Sequence, residues 1–482
     1  MLFNSLDFVF FLPTVFALYW LTNKHLRLQN LILLLSSYYF YACWDWRFLS
    51  LIFISSLVDY YTGIYLSKEE NPITRKRLLY LSIVVNLGFL GFFKYYNFFV
   101  DQFISSFSML GADIQANTLN IILPVGISFY TFQTLSYSID IYRKKLEPSR
   151  DFIAFLSFVS FFPQLVAGPI ERATNLLPQF LKRRTFDYSN AVKGMRQILW
   201  GLFKKMVIAD NCAELANMIF NNSADYSGST LLLGAVFFAF QIYGDFSGYS
   251  DIAIGTARLF GFRLMKNFNF PYFSRDIAEF WRRWHISLST WFRDYVYIPL
   301  GGSKVSTLKK IRNVFIVFIV SGFWHGANWT FIIWGGLNAI FFLPLLLSKK
   351  NRTHVDTVAR GKLFPNLKEL IAMGSTFLLT TMAWVFFRAE SIVHAKEYFL
   401  NMFDSSLFSA PSIIGEKQVM ISVILLLFFL FIEWLGRESE YAIENIEQRL
   451  SRTPRWCFYA LIIVLIGSFI PTTQTPFIYF QF

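Results

Sequence analysis

The stretch SGFWHGANWTFIIWG (residues 321–335) lies in the middle of a 35-residue apolar run and carries one titratable side chain, His325. From residue 313 to residue 347 the sequence contains no Asp, Glu, Lys or Arg. A membrane-spanning helix needs about 20 consecutive apolar residues. The run therefore indicates chain buried in lipid, and it is long enough to enter the membrane and turn back.

The composition of the whole chain agrees with a membrane protein. Of the 482 residues, 55% are hydrophobic, 20% are aromatic and only 16% are charged. A soluble domain has about 45–50% apolar and about 25% charged residues. Apolar runs recur along the chain, and they do not alternate as the strands of an outer-membrane barrel would. The sequence therefore predicts an all-α polytopic integral membrane protein.

The net charge of +13 is distributed in a way that argues against nucleic acid as a partner. Basic residues gather in short connectors between the apolar runs, as is typical of cytoplasmic loops. These connectors are residues 67–77, 143–150, 171–184, 258–312, 349–362 and 436–455. We therefore predict a multi-pass membrane protein with both termini on the extracytoplasmic side.

Two apolar runs have basic connectors on both sides, so neither should simply cross the membrane. Residues 152–168 contain FFPQLVAGP, whose prolines and glycine break helices. We predict a re-entrant element there, tolerated because it is buried in protein. The run at 313–347 should turn round near GFWHGANW, which would place His325 inside the membrane layer and close to a helix break.

His325 is the first candidate for chemistry. A histidine in a membrane helix is often a hydrogen-bonded packing residue, but ionisable groups inside a bilayer also mark functional sites. Gly322 and Gly326 flank it and would allow backbone or substrate to approach closely. Trp324 and Asn328 supply hydrogen-bond donors. Because burial disfavours the imidazolium, the ring should be neutral near pH 7 and available as a base.

The segment RDIAEFWRRWHISLSTWFRDYVYIPLGG (residues 275–302) is the second candidate. At helical spacing Arg282, His285, Ser289 and Arg293 fall on one face, and large aromatic residues fall on the adjacent face. One interpretation is an amphipathic helix lying at the cytoplasmic interface. The other adds a role, in which Arg282 and Arg293 beside His285 form a cationic rim for the phosphates of an acyl donor.

Asp245 and Asp251, in QIYGDFSGYSDIAIG (residues 241–255), lie in an apolar span. They are either structural carboxylates held by hydroxyl or backbone groups, or parts of a proton or cation pathway. The sequence shows no metal-ligand spacing, P-loop or dinucleotide-binding glycine motif. Two classes of function remain: an acyl-transfer enzyme with a buried neutral base, and a proton-coupled transporter that uses His325 and the two aspartates.

Four segments taken together resemble the membrane-bound O-acyltransferase family: FFPQLVAGPIER, YGDFSGYSDIAIGTARLFGF, FPYFSRDIAEFWRRWHISLSTWFRDYVYIPLGG and SGFWHGANWTFIIWGGLN. The opening MLFNSLDFVFFLPTVFALYWL and TTMAWVFFRAE (residues 380–390) are similar to the bacterial branch that acts in alginate O-acetylation. Proteins of D-alanyl transfer are more distantly similar. The similarity runs to about residue 390, and the last 90 residues carry no recognised motif.

This resemblance implies one transmembrane domain over residues 1–482, with a motif-bearing core at about 120–390 and further spans at 391–482. It implies a ring of roughly 11 or more helices with re-entrant elements and a central tunnel. It also places the chain in the bacterial inner membrane.

The resemblance further implies an O-acyltransferase in which His325 is the catalytic histidine and His285 is the second histidine of the site. The acyl donor would be acetyl-CoA or another cytoplasmic thioester, a substrate rather than a cofactor. The acceptor would be a hydroxyl of an extracytoplasmic polysaccharide such as alginate, or of a partner O-acetyltransferase. D-Alanyl transfer from a carrier protein is the nearest alternative, and a proton-coupled transporter is the more distant one.

This resemblance leads to a hypothesis for the mechanism. His325 takes the proton from the acceptor hydroxyl as the hydroxyl oxygen attacks the thioester carbonyl. Asn328 or the Trp324 indole stabilises the oxyanion. His285, with neighbouring arginines, binds the donor at the cytoplasmic mouth of the tunnel. The candidate substrate-binding residues are Arg282, Arg293, Ser289, Trp324, Asn328 and Asp245.

Overall fold

The computed structural model of the chain describes residues 1–111, 118–166, 168–412, 415–470 and 477–478. All regular secondary structure within these ranges is helical. Together with the apolar character of the long helices, this confirms the predicted class, an all-α polytopic membrane protein.

The helices in the first 202 residues are α1 (Leu6–Leu21), α2 (Leu26–Asp45), α3 (Leu49–Lys68), α4 (Pro72–Leu90), α5 (Tyr96–Met109), α6 (Ile127–Tyr142), α7 (Phe152–Ser160), α8 (Phe162–Leu165), α9 (Ala173–Phe180) and α10 (Tyr188–Leu202). The later helices are α11 (Asp210–Asn221), α12 (Gly228–Leu259), α13 (Ile277–Arg283), α14 (Ile286–Phe292), α15 (Thr307–His325), α16 (Trp329–Leu347), α17 (Leu367–Arg388), α18 (Ile392–Met402), α19 (Glu416–Gly436), α20 (Ile446–Arg449) and α21 (Arg452–Ser468).

The chain forms two compact units. One comprises Met1–Gly194 and Thr256–Met265, and the other comprises Met195–Gly255 and Lys266–Phe482. Both candidate histidines, His285 and His325, belong to the second unit. The single domain and the ring of helices around a tunnel stay predictions.

Within the described residues, six helical segments are long and apolar enough to cross a membrane. They are Leu26–Lys68, Pro72–Met109, Gly228–Leu259, Trp329–Leu347, Leu367–Arg388 and Glu416–Gly436. The apolar segment at the start of the sequence forms α1, which is shorter than these six. The C-terminal residues 479–482 lie outside the described residues, and the side of the membrane on which each terminus lies stays a prediction.

The described part of the run at 152–168 forms a broken helix, as predicted; residue 167 lies outside the described residues. Helices α7 and α8 have 9 and 4 residues, so neither is long enough to cross. At the break, the Phe158 carbonyl accepts a hydrogen bond from Gln133 Nε2 (2.8 Å), and the Phe162 N–H donates to Ser37 Oγ (3.0 Å). Protein side chains thus satisfy the backbone groups that lipid could not satisfy.

The run at 313–347 forms a helical hairpin, which confirms the predicted turn. Helix α15 ends at His325, residues 326–328 make the turn, and α16 follows. The two helices pack closely, because the space that a Cβ would need at Gly335 is occupied by the backbone carbonyl of Phe318. Small residues allow membrane helices to approach in this way.

The hairpin provides a test of this packing. In Gly335→Ala the new methyl group would overlap the Phe318 backbone, so we expect a loss of about 1–3 kcal/mol in the free energy of unfolding. Gly336→Ala is the matched control, because no atom lies within 4 Å of a Cβ built at that residue. Thermal unfolding of both variants in detergent would measure the difference. Equal melting temperatures for the two would contradict the close packing.

Candidate active site

His325 is the last residue of α15, and the turn that follows it is held by Asn328. Gly326 continues with an extended backbone, so the helix stops there. Asn328 Oδ1 accepts a hydrogen bond from the Thr330 N–H (3.0 Å), and its Nδ2 donates to the Glu390 carbonyl (3.0 Å). These contacts occupy the Asn328 side chain as an N-cap. The hypothesis that Asn328 donates a hydrogen bond to the oxyanion therefore has no support from the geometry of its side chain.

Aromatic rings surround the His325 imidazole, which is only 4% exposed as a residue. The ring centroid lies 4.9 Å from that of Trp324, 5.2 Å from that of Trp334 and 5.3 Å from that of Phe387. Trp334 and Phe387 meet the imidazole nearly at right angles, which suits the quadrupoles of the rings. This enclosure keeps bulk water away from the imidazole and fixes its orientation.

The chain bends sharply at His285. Helix α13 ends at Arg283, and His285 has φ 43° and ψ 55°, a left-handed conformation that starts α14. Asn267 holds the bend, because its carbonyl accepts from the Ile286 N–H (2.9 Å) and its Oδ1 accepts from Ser287 Oγ (2.9 Å). The predicted continuous helix through residues 282–293, with its shared polar face, is therefore wrong.

His285 is buried, and it lies beside His325. The two imidazole centroids are 6.4 Å apart, and His285 also packs edge-to-face on Phe246 (4.6 Å). His285 lies outside the six candidate spans, and burial lowers the pKa of its imidazole to about 3. Because the pKa lies so far below neutrality, His285 is uncharged across the physiological pH range.

The predicted rim of Arg282 and Arg293 beside His285 is not formed. Arg293 is exposed and pairs with Asp294 (2.7 Å). Arg282 donates to backbone carbonyls of the connector at residues 351–354. His285 lies inside the protein with His325, because the left-handed bend turns it away from its arginine neighbours.

A cavity of about 400 Å³, here called the basic cavity, is lined by residues of α13 to α16 and by the connector that follows α16. Much of its wall is apolar, and Ser289 is one of its polar lining residues; a substrate-binding role for Ser289 stays a prediction. Its basic side chains are Arg293, Lys310, Lys349 and Arg352. A volume of a few hundred cubic ångströms with an apolar wall and a few polar groups is typical of small-molecule sites.

The basic cavity extends to the neighbourhood of His325. Ser321, which lines the cavity, lies one helical turn before His325 in α15. Trp281 also lines the cavity, and its ring packs on Trp334 (5.7 Å), which in turn packs on His325. The ring contacts that join the cavity to the imidazole thus pass through two aromatic side chains, Trp281 and Trp334.

Asp245 and Asp251 are paired with lysines that the sequence analysis did not single out. Asp251 Oδ2 lies 2.5 Å from Lys204 Nζ, and Asp245 Oδ1 lies 2.8 Å from Lys205 Nζ. Both lysines belong to the π-helical turn Phe203–Ala209 and are buried. The ion pairs favour the structural interpretation of the two aspartates over a substrate-binding role for Asp245. The sequence feature that could have predicted these ion pairs is the presence of two adjacent lysines within the largely apolar residues 197–212.

The sequence also gave no indication that the C-terminal segment reaches this region. Phe477 and Ile478 are both buried, and the Ile478 N–H donates to Asp245 Oδ2 (2.7 Å). The Phe477 ring packs on Tyr249 (4.5 Å). The last residues of the sequence are apolar and aromatic, but they carry no motif that would predict a contact with Asp245 or Tyr249.

Comparison with known proteins identifies relatives over most of the chain. The profile of the membrane-bound O-acyltransferase family matches residues 30–383. A probable alginate O-acetylase of Azotobacter vinelandii is 42% identical over 405 residues, which cover 84% of this chain and 78% of the relative. The corresponding protein of Pseudomonas putida is 37% identical over the full length of both chains.

Two further relatives have other named activities. A peptidoglycan O-acetyltransferase of Helicobacter pylori is 36% identical over 83% of this chain and 80% of its own length. A teichoic acid D-alanyltransferase of Streptococcus thermophilus is 30% identical over 54% of this chain and 66% of its own. The more similar relatives thus carry names that refer to O-acetyl transfer.

The structural interpretation of Asp251 can be tested by stability. Asp251→Asn leaves the Lys204 ammonium buried without its counter-ion, so we expect a loss of about 3–5 kcal/mol in the free energy of unfolding. Replacing both partners, in Lys204→Met with Asp251→Leu, should restore much of that loss. Asp294→Asn is the control, because its ion pair is exposed and contributes about 0–1 kcal/mol. Thermal unfolding in detergent is the measurement, and an additive double variant would contradict the pairing.

Proposed function

The chain belongs to the membrane-bound O-acyltransferase family, and we propose that it moves an acetyl group from acetyl-CoA to a hydroxyl of an extracytoplasmic polysaccharide. The observation that carries this proposal is the position of His325, which lies buried beside His285 and is joined to the basic cavity through the packed rings of Trp334 and Trp281. A neutral imidazole in such a place can exchange a proton with a bound substrate while water is excluded.

The basic cavity is the proposed binding site of the donor. Four basic side chains line it, and cationic groups of this kind bind phosphate oxygens through charge-assisted hydrogen bonds. The apolar wall suits the pantetheine arm of CoA, which is long and carries few charges. The thioester end of the arm would then point along Ser321 and Trp281 toward His325. A positively charged cavity favours CoA, with its nucleotide phosphates, over a neutral donor.

In the proposed reaction one proton moves from the acceptor hydroxyl to the His325 imidazole and then to the thiolate leaving group. The imidazole accepts the proton of the acceptor hydroxyl as the oxygen attacks the thioester carbonyl, and a tetrahedral oxyanion forms. When the carbon–sulfur bond breaks, the thiolate takes the same proton from the imidazolium. Ester and free thiol are the products, so no proton is gained or lost overall. General-base assistance of this kind contributes about 10²–10⁴-fold to the rate.

Trp324 and His285 are the proposed neighbours of the reacting carbonyl. The Trp324 ring lies 4.9 Å from that of His325 and 6.0 Å from that of His285. We assign oxyanion stabilisation to the Trp324 indole N–H rather than to Asn328, whose amide caps α16. His285 acts as a neutral hydrogen-bonding group in this arrangement. The rings of Trp334 and Phe387 pack closely around the imidazole, which favours a small acyl group such as acetyl.

The acceptor assignment rests on the relatives. Alginate and peptidoglycan are the polymers named for the relatives at 36–42% identity, and both are polysaccharides. We therefore propose a polysaccharide hydroxyl as acceptor, reached directly or through a partner O-acetyltransferase on the outer side of the bacterial inner membrane. D-Alanyl transfer is the alternative that the teichoic acid relatives suggest, and a carrier-protein donor would distinguish it.

The roles of the two histidines predict different responses to the same substitution. His325→Gln should lower CoA release and acetyl transfer about 10²–10⁴-fold, because the amide cannot act as a base. His285→Gln should stay within about tenfold of the wild type, since the amide keeps a neutral donor and acceptor.

Purified protein in nanodiscs, with acetyl-CoA labelled in the acetyl group, is the assay for these variants. His25→Gln, an exposed histidine at the start of α2, is the control and should not change the rate. Wild-type CoA release by His325→Gln would overturn the mechanism.

The donor assignment can be tested at the basic cavity. Lys310→Gln should raise KM for acetyl-CoA about threefold to tenfold, since one phosphate contact on a partly exposed surface is lost. KM for acetyl-pantetheine, which has no nucleotide phosphates, should not change. Lys309→Gln is the matched control, because Lys309 is exposed and does not belong to the cavity wall. Equal effects of Lys310→Gln on both donors would argue against phosphate binding.

A further inference from the structure

We propose that Arg282 is a positioning residue that holds the connector at residues 349–362, here called the basic strap, in the place where it completes the basic cavity. This inference rests on the proposed role of that cavity as the donor site. It replaces the sequence-based hypothesis that Arg282 itself binds the donor. The strap follows α16, and it supplies Lys349, Asn351 and Arg352 to the cavity wall.

The contacts of Arg282 are with the backbone of the strap. Its Nη1 donates to the Asn351 carbonyl (2.7 Å), and its Nη2 donates to the His354 carbonyl (2.6 Å). These two carbonyls flank Arg352 on either side along the chain. The guanidinium therefore fixes the short stretch of backbone that presents Arg352 to the cavity. Arg282 is not one of the residues that line the cavity within the described chain.

Two further arginines hold the strap from the same helix region. Arg275 Nη2 donates to the Asp356 carbonyl (2.9 Å), and Arg283 Nη2 donates to the same oxygen (2.9 Å). The buried Glu279 orients both guanidinium groups, at 3.1 Å from Arg275 Nε and 2.7 Å from Arg283 Nη2. A carboxylate shared by two arginines keeps their remaining N–H groups aimed at the strap.

The far part of the strap is held from α19. Arg437 Nε donates to the Val358 carbonyl (3.0 Å), and its Nη2 donates to the carbonyls of Ala359 (2.7 Å) and Lys362 (2.5 Å). Backbone carbonyls, not carboxylates, thus receive most of these arginine bonds. The basic strap contains no regular helix, and arginines from two other parts of the chain donate to its backbone carbonyls. A loop that only met solvent would not require these contacts.

The geometry requires arginine rather than any positive charge. A guanidinium presents two N–H groups in a rigid planar fork and can reach two carbonyls at once. A lysine ammonium is a point charge on a flexible stem and would keep the charge without the fork. A donor-binding role for residue 282 would be largely preserved by lysine. A positioning role would be lost in the same variant, so Arg282→Lys distinguishes the two roles.

The experiment compares Arg282→Lys and Arg282→Ala with wild type in nanodiscs. We expect both variants to raise KM for acetyl-CoA about fivefold to tenfold and to keep kcat within about twofold, because the fork is lost in each. Limited trypsin digestion should cleave the strap several times faster in both variants, since the backbone around the exposed Lys349, Lys350 and Arg352 is no longer held by the Arg282 fork. Arg360→Ala is the matched control, an exposed arginine of the strap outside the cavity wall, and it should behave as wild type in KM.

The outcomes separate this inference from the proposed function. A wild-type KM in Arg282→Lys together with a raised KM in Arg282→Ala would overturn the positioning role in favour of charge. Unchanged trypsin cleavage in both variants would overturn it as well. If wild-type protein releases no CoA from acetyl-CoA, the proposed donor fails, and the trypsin comparison still decides whether Arg282 holds the strap.

Discussion

The site depends on one constraint: a helix that ends inside an apolar environment must have its backbone groups satisfied by protein. The hairpin of α15 and α16 meets this constraint at residues 326–328, where the Asn328 side chain accepts from the Thr330 N–H at the start of α16 and donates to the Glu390 carbonyl beyond α17. His325 can lie at a helix end, with its ring directed among Trp324, Trp334 and Phe387, because the turn is held in this way. The broken helix at 152–168 meets the same constraint with Gln133 and Ser37.

A second helix end brings the other histidine to the same place. The left-handed residue His285 separates α13 from α14, and Asn267 stabilises the bend through its carbonyl and its side chain. A left-handed conformation is unfavourable for a residue with a side chain, so surrounding contacts must hold it. The result is a pair of buried imidazoles, of which His285 directly precedes α14 and His325 is the last residue of α15. Helix ends, rather than helix faces, thus hold the two candidate histidines.

Positive charge has two separate uses in the second unit. The buried lysines Lys204 and Lys205 neutralise Asp251 and Asp245 and hold the π-helical turn against α12. The arginines at 275, 282, 283 and 437 bind backbone carbonyls and hold the basic strap. The basic side chains that line the basic cavity, Arg293, Lys310, Lys349 and Arg352, are a further group, and they are the ones proposed to bind the phosphates of the donor. Net charge alone therefore says little about which residues bind the donor.

The sequence by itself determined the helical membrane class, the turn inside the run at 313–347 and the break inside 152–168. These follow from local physics, because apolar length, prolines, glycines and the absence of charge act within a single segment. It also singled out both His325 and His285. Only the tertiary structure decided that the two imidazoles lie side by side, that Arg282 donates to backbone carbonyls of the strap and that Asp245 pairs with Lys205. Those contacts join residues that are distant along the chain or separated by a left-handed bend, and helical spacing cannot describe either case.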